Sequence, residues 1–217
     1  IILDDGSKDA SKEIINRYKS KIKNLHFINQ KINNGCAKSR NIIISKAKGE
    51  FIAFFDDDDF SRSDRLSLQF DHLIRYEKFL SSKFIACFAS GIRIYPNSYK
   101  KRISAVGAYG VPPIGLQMAN YLLFNERINK IDYGAGAPTC SLFARTSIFR
   151  DLCGFDAKIR RQEDVDFAIK FAMQGGHFIG IREPVIEQYV SFSNDKSAYI
   201  EYQSSLKILN KYSDYLK

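Results

Sequence analysis

Gly49–Asp59 reads GEFIAFFDDDD, an apolar run that ends abruptly in four consecutive aspartates. Phe51, Ile52, Ala53, Phe54 and Phe55 have the length and the aromatic and β-branched content of a strand buried on both faces, as in a parallel sheet covered by helices. The carboxylates then stand where the strand leaves the core. At roughly 6 Å spacing, two like charges repel by about 0.7 kcal/mol in water and by about 3 kcal/mol at an effective dielectric near 20. A divalent cation relieves that repulsion. Aspartate oxygens suit Mg²⁺ or Mn²⁺, and the C-terminal edge of a parallel sheet is where open α/β folds bind ligands. A solvated acidic turn is the bland alternative, because charge runs usually mark solvated faces.

Upstream, Ile1–Leu3 reads as the end of a strand, with Asp4-Asp5-Gly6-Ser7 as the turn after it. Asp9 or Ser11 can cap a helix whose Ile14, Ile15, Tyr18 and Ile22 share one face. Leu25–Ile28 is a second short strand, and Asn33-Asn34-Gly35 turns into a helix that Gly49 stops. Strand, helix, strand, helix, strand is the rhythm of a parallel α/β sheet. In such a sheet the two acidic turns share one edge, so their carboxylates can converge on one ligand.

Downstream, Ser63 or Asp64 caps a long helix with Leu66, Phe70, Leu73 and Leu80 on its buried side. Phe84–Ser90 and Ile92–Tyr95 are two strand candidates, and Pro96–Pro113 is expected to be an irregular, mobile loop of functional importance. Ile114–Phe124 reads as a helix, and Gly134-Ala135-Gly136-Ala137-Pro138 brings backbone close to something. After Gly154-Phe155-Asp156, the run Arg160-Arg161-Gln162-Glu163-Asp164 opens another helix. Acidic residues in a first helical turn are favoured by the dipole, which alone would explain Glu163 and Asp164. His177–Ile181 and Val185–Tyr189 read as strands, and Ser197–Leu216 as a closing amphipathic helix.

The totals narrow the class. The 217 residues can bury a substantial core, and 45% hydrophobic with 26% charged residues is ordinary globular composition. Thirty-three Lys and Arg against 24 Asp and Glu give a net charge of +9, which suits an anionic partner such as nucleotide phosphates or lipid headgroups. Dispersed lysines and the lack of a nucleic-acid-binding signature argue against DNA or RNA. Cys36, Cys87, Cys140 and Cys153 have no C-x-x-C spacing and read as reduced cytosolic thiols, while three separated histidines give no zinc pattern. With no leader and no apolar run near 20 residues, the expectation is a cytoplasmic protein.

Four blocks in order, LDDGSKD at Leu3–Asp9, NNGCAKSRN at Asn33–Asn41, GEFIAFFDDDD at Gly49–Asp59, and GFD followed by QEDVDFAIK at Gln162–Lys170, resemble family 2 glycosyltransferases. The resemblance implies an α/β GT-A fold: a Rossmann-like, mostly parallel sheet flanked by helices, with a smaller acceptor-side region. It implies one domain over 1–217, with a nucleotide-sugar half at 1–95 and an acceptor and catalytic-base half at 96–217. It also implies an inverting transfer from a nucleotide-diphosphate sugar, a UDP-sugar first, to a saccharide or lipid-linked acceptor, in polysaccharide or glycolipid synthesis. By this resemblance Asp4 bonds the base with Asp5 nearby, and Arg40 faces the base. Asp56 or Asp57 approaches the ribose, and Asp58 ligates a Mn²⁺ or Mg²⁺ that bridges the diphosphate. Asp164 is the general base, and Glu163 orients it. Arg160 and Arg161 either help hold the diphosphate or an acidic acceptor or are solvated.

Two departures accompany the resemblance. Family members usually begin some thirty residues earlier, with a strand that lies between the one ending at Leu3 and the one ending at Phe55. The expectation is therefore a fragment or truncated product with two unpaired strand edges, and an inactive sugar-nucleotide-binding module is the rival to an active enzyme. A histidine that assists the metal in many relatives is missing from Gln188–Asn194, QYVSFSN. A sugar nucleotidyltransferase would share the sheet but would show a Gly-rich basic loop, which is not seen here. The basic surface and Tyr-rich last helix fit a peripheral contact with the inner membrane face.

Overall fold

The computed structural model describes residues 1–190 and 197–215. In chain order the elements are β1 (Ile2–Asp5), α1 (Ser11–Lys19), β2 (Phe27–Gln30), α2 (Cys36–Lys46), β3 (Phe51–Ala53), β4 (Asp59–Ser61), α3 (Arg65–Leu80) and β5 (Ile85–Ile94). There follow β6 (Lys100–Ile103), α4 (Leu116–Phe124), β7 (Leu142–Arg145), α5 (Thr146–Asp151), α6 (Glu163–Met173), β8 (His177–Tyr189) and α7 (Ala198–Lys211). The α/β alternation expected for the first sixty residues is present.

The sheet is mixed where a mostly parallel one was expected. β1 and β2 form a parallel pair of their own, and a second sheet runs β3-β7-β5-β8-β4 with β6 on β5. Only β5 and β8 run parallel in that second sheet, while β7, β6, β3 and β4 join antiparallel. The reason is the connections. β6 follows β5 by the short turn at residues 95–99 and so joins it antiparallel, while β5 and β8, far apart in the chain, meet in parallel. β1 and β3, read from sequence as flanking a further strand, each pair on one side only among the described residues.

Hydrophobic burial sets the layers. On one face, Ala86, Phe88 and Phe178 pack against Met118 and Ala119 of α4 and Phe167, Ala168 and Phe171 of α6. On the other, Leu73 of α3 covers Ile85, Cys87 and Ile179. The two strand candidates at 84–95 are one strand, and so are the two at 177–189. Their shared bulge near Ser90 and Gly91 explains the break read in the sequence. A Cβ on Gly91 would sit 2.6 Å from the Ile186 carbonyl oxygen, so only glycine lets β8 this close.

Three local expectations are corrected. Pro96–Pro113 is not an irregular loop throughout: β6 pairs with β5 there, and Ala105, Val106 and Ala108 are core residues. The buried stripe of α3 is Arg65, Gln69 and Leu73, while Leu66 and Phe70 are exposed, because the polar pair bonds backbone beneath the helix. The apolar face read for the first helix is largely open: Ile14 and Tyr18 of α1 and Ile22 beyond its end are exposed, and Ile15 is half-buried. The closing helix ends its regular part at Lys211, and Leu216 lies outside the described residues.

Candidate active site

The quoted strand delivers its acids as expected, with one shift. Phe54 is buried and donates its N–H to Leu142, but Phe55 is exposed, so the run leaves the core one residue early. The turn is held from below by a residue the sequence reading missed. Arg65 is fully buried and donates to the Phe54 carbonyl and to Gln69 and Ser61, each at 3.0 Å, while its guanidinium lies 4.4 Å from the Phe55 ring centroid. Burial pulls its pKa down to about 10, still charged at neutral pH. Gln69 in turn donates to the Cys87 and Ser141 carbonyls, which locks α3 to the sheet.

Asp57 and Asp58 are exposed at the tip, and Asp56 is half-buried. Asp59 belongs to β4, opposite Gln188. The ligand-type atoms that converge are those of Asp56, Asp59 and Cys140, all within 4.8 Å of one another. Burial, then the neighbouring Asp56 and Asp59 charges, push the Cys140 thiol up to about 12, and Gln188 donates to its sulfur at 3.0 Å. A neutral thiol is a poor ligand, so the hard carboxylates fit a Mg²⁺ or Mn²⁺ ion better than a soft metal. Asp58, expected as the metal ligand, is exposed and is not one of these three. Residues 191–194 of the histidine-free segment lie outside the described residues.

The first acidic turn divides its work. Both oxygens of Asp5 accept backbone N–H groups, from Asn34 at 2.9 and 3.1 Å and from Gly35 at 2.8 Å. Asp5 thus pins β1 to the start of α2, where Gly35 takes φ 87°, a conformation that favours glycine. Asp4 is buried. Its Oδ1 accepts the Ser7 N–H at 2.8 Å, while Oδ2 has no hydrogen-bond partner and lies 3.7 Å from the Lys12 ammonium. Burial works to raise its pKa, but the Ser7 bonds and Lys12 together hold it below the usual carboxylate range.

α2 then carries Arg40 into the centre of the site. Its guanidinium is hydrogen-bonded to Glu163, lies 3.4 Å from Asp56, and rests 5.6 Å from the Phe155 ring centroid. One side chain therefore joins the aspartate tip to the Glu-Asp pair, 123 residues away from it in sequence. Arg40, expected from sequence to face a base, bridges Asp56 and Glu163 in this structure. Asn41 fixes the same junction by donating to the Phe155 carbonyl at 2.7 Å and accepting its N–H at 2.8 Å. Gly154 is required there, since a Cβ would lie 2.3 Å from the Asn41 oxygen.

Glu163 and Asp164 open α6, as read from sequence. Burial first, then the Glu163 charge, push the Asp164 carboxyl up to about 6, with Arg40 opposing. A carboxylate near that value is matched to accepting a proton at neutral pH. It lines a pocket of about 700 Å³ between the end of α4, the Gly134–Pro138 loop and α6. Behind it, Asp166 is fully buried and bonded to Lys211 at 2.8 Å and to the Tyr212 hydroxyl at 2.9 Å, so α7 clamps the helix that carries the pair. Lys211 also reaches Asp156 of the GFD turn at 2.9 Å.

The geometry can be set beside known proteins. The crystal structure of S. aureus TarS 1-349 in complex with UDP-GlcNAc superposes with a TM-score of 0.64 at 18% identity, over 96% of this chain and 56% of that one. The complex of the same protein with UDP gives 0.61 at 19%, over 97% and 61%. These likenesses establish the fold. In sequence, an uncharacterized glycosyltransferase of Haemophilus influenzae is 41% identical over 75 residues, 35% of this chain and 30% of its own length. The Escherichia coli UDP-Glc:alpha-D-GlcNAc-diphosphoundecaprenol beta-1,3-glucosyltransferase WfaP is 32% identical over 151 residues, 68% of this chain and 47% of its own. The matched stretches thus cover less than half the length of these curated relatives. A family model described as Glycosyl transferase family 2 matches residues 1–148, and with that span, the GT-A-like fold and the converging acidic motifs, the chain belongs to glycosyltransferase family 2.

Proposed function

We propose that the chain transfers a sugar, with inversion, from a nucleoside-diphosphate sugar to a hydroxyl of a saccharide or lipid-linked acceptor. A UDP-sugar is the first donor to test, a choice supported by the ligands and donors named for the similar proteins. The observation that carries this reading is the Arg40 bridge, which links Asp56 of the metal-type carboxylates to Glu163 beside Asp164. Residues 1–95 form the donor half in this reading, and 96–217 the acceptor half.

Asp4 offers the unpartnered Oδ2 to a base N–H, and Asp5 keeps the loop beside it in place. Asp56 or Asp57 approaches the ribose. Asp58, with the convergent Asp56 and Asp59, holds a divalent ion. When bound, such an ion neutralises charge on the departing diphosphate. Asp164 takes the proton of the acceptor hydroxyl as its oxygen bonds the anomeric carbon and the bond to the diphosphate breaks on the opposite side. Glu163, fixed by Arg40, orients that helix end and keeps Asp164 basic.

No helix among the described residues is long and apolar enough to cross a membrane. Work at the cytoplasmic membrane face therefore rests, in this reading, on exposed groups such as Tyr199 and Tyr202 of α7. Thermal-shift screening of UDP-, GDP- and dTDP-sugars with Mn²⁺ identifies the donor. Release of nucleoside diphosphate that falls by about a thousandfold in Asp164→Asn, with donor binding kept, supports the enzyme. Equal release by both proteins would remove Asp164 from the chemistry.

A further inference from the structure

Gln162 takes an unusual backbone conformation for its place in the chain. Its φ is 62° and its ψ 25°, in the left-handed region, directly before the first residue of α6. Ser81 and Asn125 share that conformation, but they close α3 and α4, where a left-handed residue is ordinary. The residue before a helix normally stays extended and turns its side chain back onto the first free N–H groups. Gln162 does neither. Its side chain makes no capping bond to α6 and meets α7, where the Ser205 hydroxyl stands 3.1 Å from its Oε1 and 3.0 Å from the Glu201 carbonyl. The Val165 N–H, which a cap would take, is bonded by the Asp164 carboxylate at 2.9 Å. The turn at Gln162 thus leaves Asp164 as the acceptor at the head of the helix.

α7 grips the chain on both sides of this turn. Before it, Lys207 donates to the Lys158 carbonyl at 3.4 Å, and Arg161 faces Glu201 at 4.0 Å. After it, the Tyr212 hydroxyl donates to Asp166 at 2.9 Å. Ile208 packs with Ile159 and Ile169, one on each side. Left-handed backbone at a residue with a side chain is strained, and such strain persists where the surroundings over-determine it, most often at functional sites. We propose that Gln162 is a positioning residue of the transfer: its left-handed turn, held from α7 by Ser205, fixes the direction in which Asp164 presents its carboxylate. The inference rests on the transferase reading above and deepens it by tying the base to α7.

The test is donor hydrolysis, in which water replaces the acceptor: its oxygen bonds the anomeric carbon, the bond to the diphosphate breaks, and its proton goes to Asp164. Water needs no grip from Gln162, so a fall in this rate reports on the base. The 217-residue chain is assayed with Mn²⁺ and whichever UDP-, GDP- or dTDP-sugar it binds. Gln162→Gly allows the left-handed turn without strain and deletes the amide, so Tm is expected to stay nearly unchanged. Its kcat is expected to fall about tenfold, with the donor KM within about twofold. Ser205→Ala lowers kcat by the same factor, and Ser205→Thr, which keeps the hydroxyl, holds it within about twofold of the parent. The double variant Gln162→Gly, Ser205→Ala is no slower than either single one, because both remove one contact. An unchanged kcat in both single variants, a Ser205→Thr protein as slow as Ser205→Ala, or losses that multiply in the double variant overturns the role of Gln162. Failure of the unsubstituted chain to release nucleoside diphosphate from any donor overturns the transferase reading instead.

Discussion

Two groups of carboxylates face each other across Arg40, and their surroundings differ sharply. At the tip after β3, Asp57 and Asp58 are exposed and Asp56 is half-buried. At the head of α6, Glu163 and Asp166 are buried, and each is matched to a cation: Arg40 for the first, Lys211 for the second. Asp164 lies between those two and accepts its neighbour's N–H at 2.9 Å. Burial and the Glu163 charge push its carboxyl up to about 6. Identical chemistry thus meets two environments: the tip carboxylates are open to a cation, while the Asp164 carboxyl is raised by burial and by Glu163.

The sharpest way to break that contrast is to remove the bridge. Arg40 and Glu163 are about nine-tenths buried, with side-chain exposures of 13% and 10%. Arg40→Met leaves a buried charge without its partner, and about 3 to 5 kcal/mol of stability is expected to go at pH 7. Glu163→Gln added to it should restore part of the loss in urea melts. A single variant that melts like the parent would mean that the two groups are not coupled through Arg40.

A second variant reports on Asp164 itself. Its carboxyl titrates near 3.8 when unfolded and near 6 when folded. Between those values the folded protein holds more protons, so its stability falls as pH rises from about 4 to about 6 and stays lower above. Asp164→Asn removes that penalty. It is expected to be more stable than the parent by up to about 3 kcal/mol at pH 7 and by nothing at pH 3.5. A gain of the same size at both pH values would show that charge is not the cause.

How much of this was legible follows from distance along the chain. The tetra-aspartate tip, Asp4 and the Glu163-Asp164 pair are visible as local acidic runs, although a solvated turn and the helix dipole could each account for such a run alone. The roles of Arg65 and Gln69 are not visible in that way. Helical spacing put Leu66 and Phe70 on the buried face of α3, and only the carbonyls of Phe54, Cys87 and Ser141 beneath the helix explain why a polar pair displaces them. Asp5, placed near the nucleotide by the resemblance, accepts N–H groups from Asn34 and Gly35, partners that a local reading does not supply. Cys140 beside Asp56 and Asp59, and Lys211 beside Asp166, join positions far apart in sequence. Asp166, the fourth residue of α6 and set between the apolar Val165 and Phe167, was the available signal for a distant cation, since buried acids are seldom unpaired.

That distant cation gives the third test. Lys211 is about two-thirds buried and bonds two carboxylates, so Lys211→Met is expected to lose about 1.5 to 3 kcal/mol in urea melts. Lys207, on the same helix, only reaches the Lys158 carbonyl at 3.4 Å, and its replacement by Met should stay within about 0.5 kcal/mol. Equal losses would assign the effect to α7 as a whole and not to the clamp.

The smallest stability effect belongs to the tip, where it separates two arrangements of the ion. Asp58 is exposed and its carboxylate belongs to no convergent set, so Asp58→Asn should change stability by less than about 0.5 kcal/mol. Asp59→Asn acts on the group that does converge. Mn²⁺ binding followed by electron paramagnetic resonance then discriminates between them without any turnover. A loss of about tenfold or more in affinity for Asp58→Asn, with Asp59→Asn near the parent, puts the ion at the rim. The reverse order puts it between Asp56 and Asp59, against a thiol held up to about 12, where the second carboxylate is a direct ligand and Asp58 supplies only field.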